Sequence, residues 1–260
     1  MKKNKLFIYL CITFFFSWLS WGIASLINNK AIYMIFFVLG GFGPITAAYI
    51  SVIVTEEISI RDFNTRVFNW RYDLIWYLVP FLISFGLGFL VVIITSLVDK
   101  NLLFQIDLQP WYMFFPIFIS MIIGGGIEEP GWRGIALPEL QKKFNSFKSS
   151  LILGIIWSLW HLPLFLLEGT SQSKMNFFIY SIGVIGLTFI LTWFYNKTNS
   201  ILLCIIFHAA INTTLGMGIF IPSNTLLVSI DAVIKLLVGL IILYISSNNF
   251  KKEAAENYDL

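Results

Sequence analysis

The stretch LIWYLVPFLISFGLGFLVVIITSLV, Leu74–Val98, carries no charged side chain from end to end. At a rise of ~1.5 Å per residue a helix needs ~20 apolar residues to cross the ~30 Å hydrocarbon core of a bilayer, and this stretch meets that length. Seven more apolar runs flank it: Leu6–Ile27, Ala31–Thr55, Trp111–Ile127, Leu151–Leu167, Asn176–Tyr195, Ile201–Ile221 and Thr225–Ile245. The sequence therefore predicts an all-α, polytopic membrane protein with about eight transmembrane helices, organised as one integral membrane domain over residues 1–260. Composition agrees. Of 260 residues 58% are hydrophobic and 12% charged, with a mean hydropathy of +0.82, whereas soluble domains carry about a quarter charged residues. Disorder, collagen-like repeats and nucleic-acid binding are excluded as main themes. Cys11 and Cys204 both fall inside apolar runs, where a thiol is a small hydrophobe, so neither argues for a disulfide or a metal cluster.

Cationic residues set the expected orientation. With the N-terminus inside, the inner segments hold Lys2, Lys3, Lys5, Arg61, Arg66, Arg71, Arg133, Lys142, Lys143, Lys148, Lys197, Lys251 and Lys252, against Lys30, Lys100 and Lys174 outside. Such asymmetry places both termini in the cytoplasm. The first run follows Lys2, Lys3 and Lys5 but is too long for a signal-peptide core and lacks a small-residue cleavage site, so it reads as an uncleaved anchor. Between Ile58 and Tyr72, Ile60, Phe63, Val67 and Trp70 recur at helical spacing among arginines, which suits a short helix on the inner leaflet or a plain basic loop. Ser246–Leu260 is polar and expected to fray.

Ionisable groups cost a few kcal/mol or more each at bilayer depth, so those inside the spans are informative: Glu128, Glu129, His161, His208, Asp231 and Lys235. Both histidines of the chain are among them. Counted from the inner ends of their helices, His161 and Asn212 lie about 18 Å deep and His208 about 12 Å, and Glu128 arrives from the opposite direction, so the four groups can meet in one layer. His208 and Asn212 share a helix face, as do Trp157 and His161, and Glu129 and Arg133. Gly124, Gly125 and Gly126 precede the acid pair and Pro130 and Gly131 follow it, predicting irregular backbone, tolerated at this depth where it is buried or lines a wet cavity. Pro163 is expected to kink its helix beside His161. Two adjacent carboxylates do not both ionise cheaply in a low dielectric. Arg133 neutralises Glu129, leaving Glu128 as a general base that takes a proton from water oriented by an imidazole. His208 and Asn212 supply donors for an oxyanion. Asp231 and Lys235, four apart in the last span, read as a neutralising ion pair.

The segments Glu128-Glu129-Pro130-Gly131-Trp132-Arg133-Gly134, Trp157-Ser158-Leu159-Trp160-His161 and His208-Ala209-Ala210-Ile211-Asn212 resemble the three motifs of the CAAX protease and bacteriocin-processing (CPBP) family. This group of intramembrane endopeptidases includes the type II CAAX prenyl endopeptidases. The resemblance covers about residues 111–221, the expected catalytic core. It implies that Glu128 activates water with help from His161, that His208 and Asn212 hold the tetrahedral oxyanion, and that Glu129 and Arg133 hold the motif's geometry. Trp157 stands where Phe is frequent, a change that keeps an aromatic. Relatives cut near a substrate C-terminus from the inner leaflet, in keeping with the depth count.

A glutamate with two histidines also suits an open zinc site, so Glu128, His161 and His208 form an alternative ligand set. They lack the close spacing of His-Glu-x-x-His and would need three helices to converge, so the favoured reading has no metal and no cofactor. A second class of reading is a bacteriocin-immunity or transport protein that binds at the same polar site without cutting. A transporter should show repeat symmetry and broken helices in both halves, whereas the Gly/Pro disturbance occurs once. The expected partners are membrane lipid and a membrane-associated peptide or lipidated protein, with no nucleic acid. A composition heavy in Phe, Ile, Asn and Lys suggests a bacterial plasma membrane.

Overall fold

The computed structural model describes residues 4–256. Lys2 and Lys3 of the charge count, and residues 257–260 of the C-terminal stretch, lie outside the described residues. Within them every regular element is helical: α1 (Lys5–Ser25), α2 (Lys30–Gly41), α3 (Gly43–Thr55), α4 (Ile60–Val67), α5 (Leu74–Val98), α6 (Phe114–Gly124), the single turn α7 (Glu129–Gly131), α8 (Leu137–Gln141), α9 (Ser146–Trp160), α10 (Phe177–Thr198), α11 (Ile201–Thr214) and α12 (Thr225–Glu256). Short polar side chains start many of them. Asn4, Asn29, Asn145, Asn176 and Ser200 each accept a backbone N–H from the first turn that follows, satisfying donors that lipid would leave bare. The last helix continues to Glu256, past the point where the polar stretch was expected to fray.

All eight apolar runs are helical, but they are not eight equivalent spans. Six segments are long and apolar enough to cross a membrane: Lys5–Ser25, Leu74–Val98, Trp111–Gln141, Phe177–Thr198, Ile201–Ile219 and Thr225–Ser246. The run predicted as one helix over Ala31–Thr55 breaks between α2 and α3 with a 47° bend. Gly40 and Gly43 sit there against α1, where a Cβ would overlap Trp21 and Ser17, and Pro44 starts the new helix. The fifth run is also shorter than expected. Its helix, α9, has 15 residues, about 22 Å by rise, and the backbone then tightens into a 3-10 turn over Leu162–Phe165. Pro163 thus follows the end of α9 rather than kinking it. The carbonyl of Trp160, freed by that ending, accepts the Trp18 indole N–H at 3.0 Å.

Contacts between helix ends define two faces. On the first, Lys5 pairs with Glu57 at 2.5 Å and approaches Glu139 at 3.9 Å, and Asn196 donates to Ser146 at 3.1 Å. On the second, the Tyr33 hydroxyl donates to Glu168 O at 3.1 Å and Gln109 N–H to Met217 O at 2.9 Å. The pairs Gly183/Ala232, Gly186/Leu236 and Gly239/Phe189 show α10 and α12 running parallel in close contact from the second face to the first.

Helix α4 exists where its spacing predicts it. Its apolar face, however, turns into the protein: Phe63 and Val67 are buried, and Phe63 packs edge-on against Tyr49 and beneath Gly134. It is Phe68 and Trp70, just beyond the helix, that stay exposed.

Candidate active site

The polar residues converge because the segment from Gly124 to Gln141 does not continue as one helix. After α6 the chain makes a 3-10 turn over Gly126–Glu128, the turn α7, a π turn over Trp132–Ala136, and then α8. Small residues let this irregular path fit. A Cβ at Gly131 would overlap the Tyr9 hydroxyl and the Pro44 carbonyl, so α7 lies directly against α1 and α3. A Cβ at Gly125 would come within 2.6 Å of Asn212 Nδ2 and 2.9 Å of His208 Nε2, so the backbone there abuts both motif-three side chains.

Glu128 and Glu129 enter different surroundings. Glu128 Oε2 accepts two indole N–H groups, from Trp157 at 2.8 Å and Trp132 at 3.1 Å. Glu129, fully buried, uses Oε1 for Arg133 Nη1 at 3.0 Å and for His208 Nδ1 at 2.8 Å. The Arg133 guanidinium lies 4.8 Å from the centroid of the Trp157 ring, which adds cation–π attraction to a buried ion pair. Glu129 Oε2 and Arg133 Nε and Nη2 meet no protein partner among the described residues.

Both imidazoles carry a proton on Nδ1 and differ in the group that accepts it. His161 Nδ1 lies 2.8 Å from Trp157 O, and a carbonyl only accepts, so Nδ1 holds the proton and the neutral ring keeps its lone pair on Nε2. The ring is wedged by Trp160 at 4.6 Å and Tyr180 at 5.4 Å, both edge-on. His208 Nδ1 faces a carboxylate already bound to Arg133, and therefore donates.

Glu128, His161, His208 and Asn212 all line one cavity of about 530 Å³. Glu129 and Arg133 do not; they sit behind it. Two features escaped the sequence reading. Trp157 donates its indole N–H to Glu128, a bond that Phe has no group to make. Asp231 and Lys235 do form the expected pair, 2.6 Å apart, and they also line this same cavity. Trp132 was legible in principle, four residues after Glu128; the Trp157 bond spans 29 residues and the Glu129–His208 bond 79, beyond any local spacing rule.

The same geometry tests the zinc set. Histidines bonded through Nδ1 to a carbonyl and a carboxylate carry the outer partners common for zinc ligands. Yet among the described residues no three His, Cys, Asp or Glu side chains come close enough together to hold an ion.

A buried carboxylate without a cation, an accepting imidazole, and a second imidazole with an amide, all lining a cavity in an apolar helical bundle, define an intramembrane site suited to proton transfer at a polar bond. The comparisons point to one family. Residues 109–214 match the profile of the family described as type II CAAX prenyl endopeptidase Rce1-like. CAAX prenyl protease 2 of Methanococcus maripaludis is 27% identical over 270 residues, an alignment that covers 94% of this chain and 96% of that protein. The chain is thus related to the CAAX prenyl endopeptidases, as its three motifs indicated, and the matched region takes in Glu128, His161, His208 and Asn212.

Proposed function

We propose that this chain is a multi-pass intramembrane endopeptidase of the CAAX protease type, hydrolysing a peptide bond in a membrane-associated peptide or protein. The observation that carries the reading is Glu128: a carboxylate lining a cavity at bilayer depth, held by two indole donors and by no cation. A structural carboxylate at this depth is ordinarily paired, as Glu129 is.

In the mechanism a water molecule lies between Glu128 and His161 Nε2. Glu128 takes one proton, and the water oxygen bonds to the scissile carbonyl carbon. The carbonyl oxygen becomes an oxyanion facing Asn212 Nδ2 and His208 Nε2. Donation from Nε2 requires the charged imidazolium, because Nδ1 is already committed to Glu129. The C–N bond then breaks, the proton held by Glu128 passes to the leaving amine, and the products are a carboxylate and an amine. The proposed steps need no metal.

Substrates of this class present an apolar or lipid-anchored segment, consistent with the exposed apolar girdle formed by residues such as Phe15, Phe89 and Ile119. The cationic residues gathered at the first face, where α1 starts, support a cytoplasmic position for that face. The test is cleavage of quenched fluorescent, lipid-anchored peptides by the purified protein, with and without Glu128→Ala and a zinc chelator. Cleavage that is lost in Glu128→Ala and persists with chelator supports the mechanism. Loss with chelator would replace it by a metal-dependent one. A Glu128→Ala protein that still confers bacteriocin immunity on cells would favour binding over proteolysis.

A further inference from the structure

We propose that α1, which lies outside the profile match, is a positioning element of the active site: Tyr9 holds the indole of Trp132 on Glu128, and Trp21 holds the indole of Trp160 against His161. The inference rests on the endopeptidase reading, in which Glu128 and His161 share one water. It adds two residues that touch neither that water nor the substrate.

The geometry begins at Trp132. Its indole N–H reaches Glu128 Oε2 at 3.1 Å, and an indole N–H lies in the ring plane, so whatever fixes the plane fixes where the donor points. Among the described residues three rings pack on it: Trp157 at 6.3 Å, Trp160 at 5.8 Å and Tyr9 at 5.6 Å between centroids. Tyr9 is the one of the three that comes from outside the matched segment. It stands edge-on at 88° and is fully buried, as is Trp132, so neither ring turns without displacing the other. The Tyr9 hydroxyl also abuts the backbone of Gly131, where a Cβ would overlap it and would come within 2.6 Å of the Pro44 carbonyl. Tyr9 therefore bears on the turn that directly follows Glu128 as well as on the donor that holds it.

Trp21 makes the second arm. Its indole N–H donates to Phe37 O at 3.0 Å, and Gly40 of the same helix lies so close to the ring that a Cβ would overlap it. Helix α2 thus clamps a ring that packs on Trp160 at 4.9 Å. Trp160 in turn meets the His161 ring edge-on at 4.6 Å, and its carbonyl takes the indole N–H of Trp18, also from α1, at 3.0 Å. The end of α9 that carries His161 is tied to α1 by a ring contact and by a hydrogen bond.

Neither Tyr9 nor Trp21 lines the cavity, and neither do Trp132 and Trp160. Tyr9 and Trp21 are twelve residues apart on one helix, about 18 Å by rise, so α1 sets the spacing between the arm on Glu128 and the arm on His161. A reacting group misplaced by about 1 Å costs on the order of 10²-fold in rate. The loss falls on the chemical step, because the cavity wall that receives substrate is unaltered.

The test uses the purified full-length protein and the lipid-anchored fluorescent peptides. Tyr9→Leu and Trp21→Leu are expected to lower kcat by about 10- to 100-fold with KM within about twofold, while Tyr9→Phe and Trp21→Phe, which keep a ring, recover most of the rate. Leu243→Ala, a buried truncation eight residues past Lys235 on α12, is expected to lower Tm and leave kcat unchanged. Combining Tyr9→Leu with Trp132→Phe, which already lacks the indole donor, should be little worse than Trp132→Phe alone. Unchanged kcat in both leucine variants, a fully multiplicative double variant, or an equal kcat loss in Leu243→Ala overturns the proposal. Where a leucine variant does not fold, methionine at the same position serves the same comparison. Deuterium exchange of the Trp132 indole proton, read by NMR and assigned by its loss in Trp132→Phe, needs no turnover. It should quicken in Tyr9→Leu and not in Leu243→Ala; equal exchange in wild type and Tyr9→Leu overturns the proposal. If the wild type cuts no peptide, the endopeptidase reading falls, and this exchange still decides whether α1 holds the donor on Glu128.

Discussion

Glu128 and Glu129 are neighbours in sequence and opposites in surroundings. Consecutive residues on a helical path point about a third of a turn apart, so that Glu128 faces a cavity and meets indole N–H donors, while Glu129 faces the protein and holds a guanidinium and an imidazole. The comparison teaches that the first is open to a reactant in the cavity and the second is tied to its protein partners. A carboxylate that must exchange protons is better placed away from a fixed cation, whereas one that must orient partners gains from one.

The largest effect should come from removing the exchangeable proton site. Glu128→Gln keeps the shape and both indole acceptor contacts through its amide oxygen, and is expected to cut kcat by about 10²–10⁴-fold, the usual share of a general base. Thermal unfolding in detergent should change little; a large drop in Tm would mean that Glu128 is a structural group after all. Glu129→Gln should invert that pattern. It leaves Arg133 buried without its counter-charge, a loss of about 3–5 kcal/mol in stability, read as lower Tm and yield. The double variant Glu129→Gln with Arg133→Met should recover part of that loss, and if it is worse than both single variants the pair is not the lock described here.

A smaller change sharpens the contrast from the Glu128 side. Trp157→Phe keeps a ring under Arg133 and removes one N–H donor, with an expected cost of about 1.5–3 kcal/mol in transition-state stabilisation, seen in kcat more than in KM. Equal activity in Trp157→Phe would make the indole bond incidental. The smallest effect is expected from Asp231→Leu with Lys235→Met, which removes the cavity's ion pair without leaving an unmatched charge. Neutral or slightly raised stability, with a changed KM, is the expected outcome, and an unchanged KM would show that the pair only neutralises itself.

Much of the site was legible because its elements are local. Glu129 and Arg133 are one helical turn apart, as are His208 and Asn212, and an i,i+4 spacing puts side chains on one face wherever the backbone is near-helical. The rarity of charge inside the spans singled out Glu128 and both histidines, since burial in lipid is costly for any of them. Less was legible where the outcome depends on how helices meet. The inward turn of α4 follows from Gly134 leaving room for Phe63, and the break at Phe42 from Gly40 and Gly43 yielding to Trp21 and Ser17. The bond of His208 to Glu129 needed α11 to pack against α7, and it changes what His208 requires before it can donate to an oxyanion.

By itself the sequence determined that the chain is helical, that it crosses a membrane repeatedly, and which polar groups are confined within it. Those properties are sums over neighbouring residues: apolar length, backbone hydrogen bonding that lipid cannot replace, and charge kept to one side. Tertiary structure alone decided which carboxylate faces the cavity and which indoles hold it. Each of those depends on distances between residues far apart in the chain, set by how closely small residues let helices approach.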